Sequence, residues 1–152
     1  MRIMAVAFIA LIAAVGCQSP WQTASDAAAL DRAVQDGAEI VEQYAPDLDD
    51  DERDIVESAW GEIEAAHEAM HAGDPAAIHH YARARLAYAQ LRDVVERRWG
   101  MLGHYEQQRL LDIDMRAQRL DDQLRESDAQ QLAREAIEIA TMLAPYIGVV
   151  AR

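Results

Sequence analysis

The 152-residue chain has no lysine and no asparagine, one cysteine and one phenylalanine. All of its positive charge is arginine, and the formal net charge is −13. Acidic residues outnumber the arginines 27 to 14, and so acidic a surface argues against nucleic acid, which needs a basic patch to replace phosphate counterions. Broad contact with anionic lipid is disfavoured for the same reason. Strand alternation is missing throughout, which leaves no basis for an all-β fold. The chain also lacks a glycine-rich phosphate loop and a C-x-x-C-H haem attachment, and no nucleophile elbow surrounds Ser19, Ser25, Ser58 or Ser127. No cofactor is implied.

What is present is helical periodicity. Leu30, Val34, Ile40, Val41 and Tyr44 make one apolar stripe, with Gly37 as a position of close approach, Thr23 or Ser25 as its cap and Pro46 beyond its end. A second stripe runs through Val56, Trp60, Ile63, His67 and Met70. "AGDP" then reads as a stop at Gly73, a cap at Asp74 and a helix-starting Pro75. Tyr81, Ala84, Tyr88, Leu91 and Val95 form a third stripe, ending near Trp99. Leu110, Ile113, Ala117, Leu120 and Leu124 form a fourth. Ser127 caps a fifth, carrying Leu132, Ala136, Ile139 and Leu143 up to Pro145. Short turns between stripes of similar length predict an all-α, antiparallel bundle of about five helices, or four if the third and fourth are continuous.

Charge divides the chain. Residues 18 to 74 hold 16 acidic residues and 2 arginines, net −14, whereas residues 75 to 152 hold 11 of each. The acidic second helix and the arginine-bearing third, with Arg83, Arg85, Arg92, Arg97 and Arg98, should therefore be neighbours across a tight turn. Arg97-Arg98 reads as pairing with the protein's own acidic half, and Glu64 as an ion partner of Arg83.

The start of the chain has a different character. Arg2 is followed by an uninterrupted apolar run from Ile3 to Val15 and then by Gly16-Cys17. The run is shorter than the roughly 20 apolar residues that a spanning helix needs, but it suits the core of a signal peptide. Ala14-Val15-Gly16-Cys17 resembles the lipobox of bacterial lipoproteins, with alanine where leucine is commoner. The resemblance implies cleavage before Cys17 by signal peptidase II and acylation of its thiol. Acylation also removes the hazard of a lone thiol in an exported protein. Two or more acyl chains would hold the protein on a membrane where one would not. Gln18, in place of the aspartate associated with inner-membrane retention, implies the periplasmic face of the outer membrane, the inner membrane or cell surface being the alternatives. The expected organisation is a signal peptide over 1–16, a lipidated start and linker over 17–24, and a bundle over 25–152.

One motif carries chemistry. His67-Glu68-Ala69-Met70-His71 matches H-E-x-x-H, which sets two zinc ligands one helical turn apart with a general base between them. It resembles the motif of zinc metallopeptidases, but Asp74 stands where the extended metzincin pattern has glycine, and no strands are legible to align a substrate. A peptidase through His67, Glu68 and His71 is therefore not expected. A turn centred near Gly73-Asp74 sets His80 opposite His67, so His67, His71 and His80 are the candidate ligands if a metal is bound. The reading that follows is a membrane-anchored envelope lipoprotein that binds or scaffolds a protein partner without catalysis. A metal-binding periplasmic protein is the alternative. The tail residues Tyr146, Ile147, Val149 and Val150 either pack on the bundle's own end or dock on a partner.

Overall fold

The computed structural model describes residues 20–125 and 128–152. Their regular structure is all helical, with α1 over Pro20–Tyr44, α2 over Asp50–His71, α3 over Ala77–Arg97, α4 over His104–Asp122, α5 over Ala129–Thr141 and α6 over Ala144–Val150. Tight 3₁₀ turns follow α1, α3 and α4 at Ala45–Asp47, Trp99–Met101 and Gln123–Arg125. No strand occurs among the described residues, and the expected all-α helical bundle is the fold. None of these helices is long and apolar enough to cross a membrane. The chain divides into two compact units, residues 1–31 and residues 32–152.

Of the first unit, the described part is the opening of α1. That helix begins at Pro20, earlier than the sequence suggests, so Thr23 and Ser25 lie inside it rather than at its cap. Proline suits a first helical position because the N–H it lacks is one the helix would leave unpaired, and its φ is already helical.

The second unit holds the rest of α1 and all later helices. Where α1 ends, the Arg53 guanidinium donates to the carbonyls of Ala45 at 3.3 Å and of Pro46 and Leu48 at 3.2 Å. It places a cation on acceptors that a helix end leaves open. Asp50, Asp51 and Glu52 occupy the first turn of α2, where the dipole favours negative charge. The other end of α2 closes in a Schellman motif: Gly73 N–H donates to Met70 O and Asp74 N–H to Ala69 O. Gly73 supplies the φ of +73° that this turn requires.

Two expected caps move. Asp74 Oδ1 accepts from Ala76 N–H at 2.8 Å, a local turn that delays the start of α3 to Ala77. At α5 the cap is Asp128, whose carboxylate accepts from Gln130 N–H at 2.8 Å; Ser127 lies outside the described residues. Leu124 also leaves its predicted stripe and is exposed. It falls in the 3₁₀ turn after α4, where each residue turns about 120° instead of 100° and the side chain is carried off the inner face.

The core is built around α3, which packs most extensively against α2 and α5. Val56, Ala59, Ile63 and Ala66 of α2, Ala84, Ala87, Leu91 and Val94 of α3, and Ala133, Ala136, Ile137 and Ala140 of α5 are wholly buried. So many alanines let helix axes approach closely while the interspersed leucines, isoleucines and valines fill the space between them. Gly37 of α1 serves the same end. A Cβ there would stand 2.1 Å from the Trp60 ring, so the indole lies directly on the glycine backbone.

α4 joins α3 differently. Tyr81 O–H donates to Asp121, and Arg85 grips the same carboxylate through Nε at 2.8 Å and Nη2 at 2.6 Å. Seven residues along, Tyr88 donates to Asp114, and Arg92 grips it through Nε and Nη2, each at 3.0 Å. Because Asp114 and Asp121 are also seven apart, the two triads superpose in an antiparallel register, like teeth of a zip. Arg85 also stacks over the Tyr88 ring at 5.1 Å and Arg92 over the Trp99 ring at 5.3 Å.

Candidate functional site

The residues singled out by H-E-x-x-H occupy the last turn of α2. The rings of His67 and His71 meet edge to face, with centroids 5.2 Å apart, and each contributes a ring nitrogen lying within 4.8 Å of the other's. One helical turn between them produces this proximity. His67 is half-buried and His71 exposed. Glu68 is exposed and projects about 100° around the helix from His67.

His80 has a different environment. It is only 4% exposed, and its Nε2 lies 3.3 Å from Asp74 Oδ2. The Asp74 carboxyl is held below its usual range, chiefly by the Ala76 N–H and further by the charges of His80 and His79. Among the described residues from 32 onward, no three His, Cys, Asp or Glu side chains bring ligand atoms within 4.8 Å of one another. His80 thus does not join His67 and His71 as the hairpin arithmetic suggested. Ion pairing across the hairpin departs from that arithmetic too, since Arg83 reaches Glu62 at 3.6 Å rather than Glu64. Counting residues from a turn sets only the mean offset of two helices; which face each side chain takes depends on where the helices begin, and α3 begins late.

Of the two adjacent arginines only Arg98 pairs with the acidic half as the sequence suggests; Arg97 does not. Arg98 Nη2 donates to Glu52 at 2.6 Å and to Asp49 at 3.2 Å, and its Nη1 to the Val150 carbonyl at 3.1 Å. One guanidinium therefore ties the start of α2 and the end of α3 to the tail. Arg97 pairs with Asp93 on its own helix.

The tail turns at Pro145 and continues as α6. Ile147 and Val150 are wholly buried, and Tyr146 and Val149 half-buried. Burial raises the Tyr146 phenol above its usual range. Ile147 and Val150 therefore serve the protein's own packing and are not surface available to a partner, while Tyr146 and Val149 keep part of their surface in solvent. Large apolar side chains do reach solvent on α4, where Leu111 is 44% and Met115 46% exposed, one turn apart. Met115 reads from the sequence as core filler, which its exposure corrects, and Leu111 falls outside the apolar stripes. Cys17, the lipidation candidate, lies outside the described residues.

No family model, curated protein or solved structure matches the chain.

Proposed function

We propose that the chain is a lipid-anchored envelope protein that acts by binding a protein partner rather than by catalysis. Cys17 is the acylated residue, and the periplasmic face of the outer membrane is its site. The observation that carries the reading is the sole cysteine of the chain standing directly after an apolar run of signal-peptide length and a Gly16. The outward pair Leu111 and Met115 supports a binding role, because neighbouring exposed apolar side chains on a helix offer a contact surface.

The anchor is tested with Cys17→Ser. The variant should accumulate as a larger, unacylated precursor; processing to the same mature size with unchanged membrane partition overturns the reading. Binding is tested by placing a photo-crosslinking residue at position 111 or 115 in cells and, as a control, at the exposed position 57 on α2. Capture of one discrete partner from α4 and not from α2 supports a binding face there, and equal capture from both removes it.

A further inference from the structure

We propose that His67 and His71 form a two-histidine site for a divalent late first-row transition metal ion, of which Zn²⁺ and Cu²⁺ are the probes. This proposal stands independently of the lipid anchor. Imidazole nitrogen is a favoured ligand for these ions, and the two rings already converge on the same turn of α2. Two nitrogens bound to one metal at about 2.0–2.1 Å lie roughly 3 to 3.5 Å apart. The ring nitrogens, within 4.8 Å of each other, reach that separation by rotation about the soft χ2 torsions. No backbone movement is required.

Three features of the surroundings favour a cation at this place. His71 is the last residue of α2, where the negative end of the helix dipole favours a cation. The Schellman turn at Gly73 holds that last turn in helical geometry, which keeps the two side chains one helical turn apart and within reach of a shared ion. The half of the chain that contains the pair is also strongly acidic, net −14 over residues 18 to 74, and attracts cations over distance. His71 is exposed and His67 half-buried, so an ion has direct access from solvent while one ligand is held against the helix surface. Glu68, exposed beside the pair, is not needed as a ligand.

The test uses the full chain, untagged, stripped of metal and held in detergent micelles, titrated with Zn²⁺ against a chromophoric chelator. One equivalent should bind. His67→Gln and His71→Gln should each weaken binding by about tenfold or more, because even groups that only support metal ligands are worth about 10- to 100-fold in affinity. His80→Gln should bind as the parent does, and circular dichroism should show all three variants to be equally helical. With Cu²⁺, electron paramagnetic resonance should show imidazole nitrogen coupling that is lost in the double variant. Parent-like affinity in the His67→Gln/His71→Gln double variant overturns the proposal, as does failure of the parent to bind. A loss in His80→Gln equal to that in His67→Gln replaces the pair with a different, three-histidine site.

Discussion

On one side α3 presents Ala84, Ala87, Leu91 and Val94, none of them exposed, to a core shared with α2 and α5; toward α4 it presents Tyr81, Arg85, Tyr88 and Arg92, whose polar ends close on two aspartates. The first seam is held by burial, which is non-directional and scales with the area removed from water. The second is held by charge-assisted hydrogen bonds with fixed geometry. Apolar helix faces can slide past one another at modest cost, whereas a slip of α4 along α3 by one heptad would leave one of the two aspartates without its tyrosine and arginine. The difference assigns cohesion to the apolar seam and register to the polar one, a division also seen where single polar positions set pairing in coiled coils.

The largest effect should come from the apolar seam. Leu91→Ala removes a wholly buried side chain and should cost about 2 to 5 kcal/mol in denaturant unfolding. A loss under about 1 kcal/mol would mean that the seam is looser than its burial implies. Next comes the polar seam. Asp114→Ala strips the acceptor from both Tyr88 and Arg92 and should cost about 1.5 to 3 kcal/mol, the worth of hydrogen bonds to a charged group. Asp121→Ala strips the acceptor from Tyr81 and Arg85 instead; the triads touch where Arg85 stacks on Tyr88, so the two losses should add to within about 1 kcal/mol. Strong coupling between them would show that the triads act as one unit.

A pH series separates the seams without cavities. Burial, and then the hydrogen bond to Asp121, push the Tyr81 phenol up to about 12 from 10.0, and Tyr88 is raised further by the same causes acting through Asp114. A raised folded-state value means the folded protein holds its proton more tightly than the unfolded chain. The stability this contributes is therefore complete below pH 10 and lost as pH climbs toward 12. Asp121 shows the opposite behaviour. The hydrogen bonds from Arg85 hold it below 3.8, so its contribution is present above that pH and lost as acid protonates it. Tyr81→Phe should flatten the alkaline decline, and Arg85→Gln the acid one, when unfolding is followed across pH. Leu91→Ala should lower the curve without changing its shape; a changed shape would refute the assignment of pH sensitivity to the polar seam.

The smallest effect should be at the surface. Arg97 and Asp93 form an exposed pair one turn apart on α3, and Arg97→Ala should change stability by no more than about 0.5 kcal/mol. A larger loss would show that exposed pairs carry part of the cohesion assigned to burial.

Helical type and the five longer helices were legible, because an apolar residue every three or four positions survives in one dimension; the short α6 was not. Gly37 was legible as a close approach and Pro145 as a break for equally local reasons. The late start of α3 was not, since Asp74 can cap a helix or bond the turn before it, and only the folded chain chooses. His80 and Asp74 were therefore not read as neighbours, and the three-histidine cluster was drawn with His80 in it. The Tyr–Asp–Arg triads were hidden as well. Tyrosine every seven residues, arginine four behind each and aspartates seven apart all stand in the sequence, but each part alone reads as core or solvated face.

By itself, the sequence determined the helical class of this protein, the places where its helices stop, its uneven charge and the cysteine from which membrane attachment is proposed. All of these depend on interactions between residues close along the chain or on simple composition. Tertiary structure alone decided that the tail packs inward as α6, that Arg98 ties α2 and α3 to that tail, and that two aspartates of α4 set its alignment on α3. Those contacts join residues 22 to 52 positions apart. Local pattern fixes only the direction in which a side chain leaves its own helix; what it meets depends on how the helices are offset and rotated against one another, and packing settles that last.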